Sequence, residues 1–319
     1  MVLICRIQSH PSLHFSLMEN HKARPLFVFF LTFSALIFSA SLNARESKFQ
    51  GSTAFSYTRQ ATAFGERPSG SNALEKARAW ILKELKTSSG EITLDSFTGQ
   101  TPTGPTPMVN IIVRFPGKSA KSIVVSGHYD TKRIPMVRFV GANDAGSSTG
   151  FLLELARLIP ALPHADDIVL VFFDGEEALG EWSDTNSRYG SRHLAAKWLA
   201  DGSLGKIKAL INVDMVGDKS LDLSNDSNSS DELRAKVSAI AARLKYSKFI
   251  RPEESAIDDD HKPFADVGVK VIDIIDLDYG PQGRYWHTDQ DTMDKISAAS
   301  LQVVGDLVVA LVEELDAQR

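Results

Sequence analysis

The sequence predicts an α/β fold over 45–319: a single domain on a mostly parallel, twisted central sheet with helices on both faces. Three observations lead there. Short β-branched runs alternate with amphipathic segments, the pattern of strand–helix–strand units. Hydrophobic residues make up 43% of the chain and charged residues 24%, the balance of a globular protein. Roughly 270 residues follow the N-terminal segment, enough for one large core without a second domain.

The N-terminal 1–44 stand apart. The stretch 26–38 is apolar except for Thr32 and Ser34, and His21, Lys22 and Arg24 precede it. Small residues follow at Ser39, Ala40, Ser41 and Ala44, so the segment reads as a secretory signal cleaved between Ser41 and Ala44. Residues before Met18 read as a dispensable extension, with Met18 an alternative start. The competing reading is an uncleaved membrane anchor, although the apolar core is shorter than the roughly 20 residues that span a bilayer. Cys5 is the only cysteine and precedes this segment. The processed chain would therefore lack thiols, disulfides and a cysteine nucleophile, which suits a periplasmic or secreted bacterial protein. A net charge of −5 with no basic stripe excludes nucleic acid as a partner.

Within the domain, elements are expected in the following order. Helix 72–87 precedes a loop at 99–107, where Gly, Pro and Thr crowd together. Strands 110–115 and 122–126 lead to helix 147–158, strand 168–173, helix 191–199 and strand 209–213. The polar run 224–230 reads as a surface loop, followed by helix 231–244, strand 269–275 and helix 297–315 with Ser297 as its cap. Edge strands are free to run antiparallel.

Polar residues gather where these strands end. Strand 122–126 runs into His128-Tyr129-Asp130, strand 168–173 into Asp174-Gly175-Glu176-Glu177, and strand 209–213 into Asp214. Ligands of open α/β sheets bind outside the carboxyl ends of the strands, so these residues share one rim. His128, Asp144, Glu177, Asp214 and His287 are candidate metal ligands, and imidazole with carboxylate suits zinc. Singly each is weak evidence: an aspartate at a strand end is more often a turn former, and His128 could be a hydrogen-bonded core residue. Asp144, in a small-residue loop before a helix, could be a helix cap, a ligand or both. Asp130 falls on the same side of the extended chain as His128 and could orient its imidazole. The adjacent carboxylates of Glu176 and Glu177 repel unless a cation or proton intervenes. One on metal and one free to move protons resolves that conflict.

The blocks Phe172-Phe173-Asp174-Gly175-Glu176-Glu177-Ala178, Trp182-Ser183 and Tyr189-Gly190-Ser191-Arg192-His193-Leu194-Ala195 resemble the signature of glutaminyl cyclases, relatives of co-catalytic zinc aminopeptidases. The resemblance extends from Arg67-Pro68-Ser69-Gly70-Ser71 to Trp286-His287-Thr288. It implies a zinc aminopeptidase-like fold that converts N-terminal glutamine of peptides into pyroglutamate with release of ammonia. It further implies one zinc per chain on Asp144, Glu177 and His287, with Glu176 as general acid/base. Asp214 and Asp260 would form an acidic network beside Glu176, and Trp182 and Trp286 would line the substrate pocket. Gln282 stands where animal members carry an aromatic pocket residue. Whether His128 touches metal stays open. The alternative is an exported two-zinc aminopeptidase, for which enough potential ligands remain. Against it, Gly190-Ser191 follows the Glu pair only after the inserted stretch 179–189, which carries Trp182. A catalytically silent binding protein is a third possibility, and a monomer is the default assembly.

Overall fold

The computed structural model describes residues 49–318, so the signal segment and Cys5 lie outside the described residues. The chain folds in the order α1 (Gly51–Thr62), α2 (Asn72–Leu85), β1 (Glu91–Thr101), β2 (Gly104–Phe115), β3 (Ser122–His128), α3 (Gly146–Leu158), β4 (Asp167–Phe173), α4 (Tyr189–Ala200) and β5 (Ile207–Asp214). It continues with β6 (Leu223–Asp226), α5 (Asp231–Leu244), β7 (Ile250–Ser255), α6 (Lys262–Ala265), β8 (Val271–Ile275) and α7 (Ala298–Asp316). The main sheet has the order β1-β2-β4-β3-β5-β8. The pairs β4–β3, β3–β5 and β5–β8 are parallel, whereas β1–β2 and β2–β4 are antiparallel.

Side-chain alternation explains the layers. In β3, Ile123 and Val125 enter one apolar cluster while Val124 enters another, and in β4 Ile168, Leu170 and Phe172 alternate with Val169, Val171 and Phe173. A strand buried on both faces needs a helical layer on each. The first cluster includes Phe151 and Leu155 of α3 with Leu307 and Leu311 of α7; the second includes Leu194 of α4 and Phe264 of α6. Helices thus cover both faces, as the periodicity predicts. Capping follows the sequence too: Ser297 Oγ accepts from the N–H groups of Ala299 (3.1 Å) and Ser300 (3.4 Å).

Two expected loops are corrected. The stretch 99–107 is the tip of a long hairpin, with Gln100 opposite Pro105 and Thr101 opposite Gly104. Its prolines are tolerated because β4 pairs β2 only along 111–115, leaving Pro105 and Pro107 on a stretch with a single partner strand. The run 224–230 starts within β6, which pairs parallel with β7 in a separate two-stranded sheet.

Candidate metal centre and active site

Parallel pairing brings the carboxyl ends of β3, β4, β5 and β8 to one edge, with His128 opposite Phe173 and Asp214 opposite Ile275. After β3 the chain moves to β4 on one side and then to β5 on the other. That reversal of strand order is where open sheets form a binding crevice. At the end of β4, Gly175 turns the chain with φ 74, a conformation suited to glycine. The N–H groups of Glu176 and Glu177 then donate to Asp130 Oδ1 (3.2 Å) and Oδ2 (3.3 Å). Asp130 Oδ1 also lies 3.5 Å from His128 Nδ1, so one carboxylate sets both the Glu-Glu turn and the imidazole.

Asp144 is held from two sides. The buried Arg67 guanidinium donates to the carbonyls of Val140 (2.7 Å) and Gly141 (3.1 Å), and Asp291 accepts the N–H groups of Asn143 (2.8 Å) and Asp144 (3.1 Å). Asp144 does not cap α3; Ala145 occupies that position without a side-chain bond. Its carboxylate instead bridges two imidazoles, Oδ1 lying 3.3 Å from His128 Nε2 and Oδ2 3.2 Å from His287 Nε2. His287 Nε2 is 3.0 Å from Glu177 Oε1, and His128 Nε2 is 3.1 Å from Asp214 Oδ1. The five candidate ligands thus form two triads that share Asp144: His128, Asp144 and Asp214, and Asp144, Glu177 and His287.

Such crowding shifts His128, His287, Asp144 and Glu176. Burial disfavours a charged His287, but the Glu177 and Asp144 carboxylates outweigh it and push the imidazole up to about 10. His128 is likewise raised against its burial, by Asp214, Asp130 and Asp144. Burial raises Asp144, yet the two imidazoles prevail and hold it below the usual carboxylate range. Glu176 is raised well above an ordinary glutamate, first by burial and, despite His128, by Glu177, Asp259 and Asp260. The donors fit a divalent cation: carboxylate oxygens and imidazole nitrogens lie within 4.8 Å of one another, and the Nε2 atoms of both His128 and His287 face Asp144.

The centre opens into a cavity of about 460 Å³ whose lining includes Asp144, Glu176, Glu177 and His287. Trp182 and Trp286 form walls at its mouth, 39% and 43% exposed. The Trp286 indole stacks on the His287 ring at 4.3 Å. His287 itself adopts φ 54, a left-handed conformation that costs a non-glycine residue about 1–2 kcal/mol.

Residues 110–312 match the family model described as peptidase family M28. The chain belongs to peptidase family M28, in its glutaminyl cyclase branch. It is 30% identical over 263 residues to a glutaminyl-peptide cyclotransferase of Dictyostelium discoideum, covering 68% of this chain and 72% of that one. A solved Acidobacteriales bacterium glutaminyl cyclase is 44% identical with a TM-score of 0.82, covering 85% of this chain and 96% of its own. A Zn-dependent exopeptidase from Parabacteroides distasonis shares the fold at 25% identity and a TM-score of 0.75, covering 85% and 99%.

Two of the expected site residues, Asp260 and Gln282, lie outside the cavity lining. Asp259, not Asp260, lines the cavity; it is pushed up to about 6 by burial and by the nearby Asp214. Asp260 lies behind it, fully buried, and accepts from Ser191 Oγ at 2.5 Å. Gln282 is not among the lining residues. Its backbone is left-handed at φ 61, and its exposed amide accepts from Arg284 Nη2 at 3.3 Å. Sequence reasoning missed four more residues. Asn212 donates to Asp259 (2.9 Å) and Asp273 (3.2 Å), and His261 lies between Asp273 and Asp226, giving Asp259 a rigid buried floor. Lys132 Nζ reaches Glu177 Oε2 at 3.4 Å, and Asp291 supports Asp144. The available signal was the period of two that also linked His128 to Asp130: it carries on to Lys132.

Proposed function

We propose that the chain cyclises the N-terminal glutamine of peptides to pyroglutamate with release of ammonia. One observation carries this reading. Beside the Asp144, Glu177 and His287 triad lies Glu176, a buried carboxyl with a raised pKa, in a cavity narrowed by two indoles. The triad suits a zinc ion, which when bound would supply Lewis-acid polarisation of the γ-amide carbonyl.

The protein's own groups do the rest. The glutamine side chain folds between Trp182 and Trp286, bringing its α-amine near the γ-amide carbon; holding that near-attack shape supplies much of the acceleration. Glu176 takes a proton from the amine as the new N–C bond forms. It then returns that proton to the amide nitrogen, whose C–N bond breaks to release ammonia. Burial raises its pKa, which strengthens the carboxyl as a proton acceptor relative to an ordinary glutamate. Asp214 and Asp259, each raised first by burial, supply the acidic network beside it, and these close carboxylates titrate as a group. The apolar wall of Met215, Ile257 and Ile275 excludes competing water.

Glu176→Gln should retain bound zinc and lose turnover by about 10²–10⁴-fold. Metal analysis beside an ammonia-release assay checks both, and robust turnover by the variant removes Glu176 from this role. A second reading, a two-metal aminopeptidase, is favoured by the triad of His128, Asp144 and Asp214. Zinc counting separates them: about one per chain supports cyclisation and about two the peptidase. The apolar segment 26–38 supports an exported protein, periplasmic or secreted, with 45–319 as one catalytic domain. No helix among the described residues is long and apolar enough to cross a membrane.

A further inference from the structure

Trp182 sits on an exposed part of the inserted stretch 179–189, where Glu181, Trp182, Asp184 and Thr185 all face solvent. Before α4 begins at Tyr189, regular structure there is limited to an isolated bridge between Ser183 and Asn186. An indole on such a segment makes a defined wall only if something else holds it. Two residues do. The Trp182 Nε1–H donates to Asp258 Oδ2 at 3.2 Å, a residue distant in sequence that also lines the cavity. The Arg188 guanidinium lies against the same indole, its Cζ 5.6 Å from the ring centroid, and it pairs through Nη1 with Asp258 Oδ1. Nη2 reaches Asp184 Oδ1 at 3.3 Å.

Arg188 is not an ordinary surface charge. Its side chain is 5% exposed, its backbone is left-handed at φ 48, and its N–H donates to the Glu176 carbonyl at 2.7 Å. The same residue therefore touches the main chain of the acid/base and the face of the indole. Arginine suits this position because its planar fork divides between two carboxylates while stacking on a ring. A pair with one partner this buried is costly to break, unlike an exposed ion pair.

We propose that Arg188 and Asp258 are positioning residues that clamp Trp182 as a fixed wall of the substrate pocket and thereby set the KM for glutaminyl peptides. The clamp rests on the cyclase reading for its effect on KM, but not for its effect on the indole. Without it, the substrate must order the indole on binding, which weakens binding more than it slows the bound reaction.

The test is a cycle of four proteins: the parent chain, Asp258→Ala, Trp182→Phe and the double variant. Two measurements are made: steady-state kinetics on a Gln-initiated peptide, and acrylamide quenching of Trp182 taken as the difference from the matching Trp182→Phe protein. Asp258→Ala should raise KM about three- to tenfold, with a smaller change in kcat, and make Trp182 more quenchable. In the Trp182→Phe background, which lacks the N–H, the same substitution should change KM by less than about twofold. Asp258→Asn, which keeps an acceptor oxygen, should recover part of the loss. Arg188→Lys, which keeps the charge but not the fork, should raise KM as Asp258→Ala does. Equal KM rises in both backgrounds, or unchanged Trp182 quenching, would overturn the proposal. Failure of the parent chain to release ammonia from the peptide would sink the cyclase reading instead, while quenching still decides the clamp.

Discussion

Asp291 shows how much of the centre depends on residues that would never touch substrate. Its carboxylate accepts the N–H groups of Asn143 and Asp144 and the Tyr279 hydroxyl (2.9 Å), and burial beside Asp144 pushes it up to about 7. Asp291→Ala leaves the Asp144 loop without this support and should weaken zinc binding by about 10- to 100-fold, measured by competition with a chelator. His287 carries a second consequence. Its pKa in the free site is raised to about 10, so the imidazole is protonated at neutral pH, whereas ligation needs it neutral. Zinc uptake near pH 7 should therefore release at least one proton, and affinity should climb as pH rises towards 10. Calorimetry in two buffers of different ionisation enthalpy reads the proton count, and a count of zero contradicts the assignment of His287 as ligand. At this scale the sequence was legible where chemistry and strand ends coincide, as for His128, Glu176, Glu177 and Asp214. It was not legible in the run Asp258-Asp259-Asp260, where three identical side chains follow one another. Only the path of the chain aims Asp258 at Trp182, Asp259 into the cavity and Asp260 at Ser191.

The elements that carry these residues were readable to the extent that their pattern is internal to them. The buried strand β4 announces itself by its unbroken apolar run from Ile168 to Phe173, and α7 by its apolar spacing and Ser297 cap. The β1–β2 hairpin hid its tip in turn-forming residues, because an edge strand with one partner tolerates proline. Helix α1 is not among the helices expected from the sequence, although Ala54, Thr58 and Ala61 are buried at helical spacing. Gly150 of α3 meets α1 so closely that an added Cβ would stand 2.3 Å from Thr58 Oγ1 and 2.6 Å from the Ala54 carbonyl. Gly150→Val should therefore destabilise the fold by about 1–3 kcal/mol, visible as a lower thermal midpoint; an unchanged midpoint would mean the two helices part without cost.

Across the whole molecule, one edge of the sheet concentrates buried acids. Glu176, Asp214, Asp259, Asp260 and Asp273 are all raised, chiefly by burial, and His128 and His287 are the imidazoles that face Asp144. A fold does not assemble so many like charges for stability, since each buried carboxylate without a matching cation opposes folding. Their arrangement makes sense as a reaction site in which a divalent ion and a mobile proton divide the charge. The most direct measurement is mass spectrometry of a Gln-initiated peptide incubated with the zinc-loaded protein. Cyclisation at this site yields a full-length product lighter by one ammonia, formed faster than in the protein-free control. A peptide shortened by its first residue, or one that never changes, would contradict it.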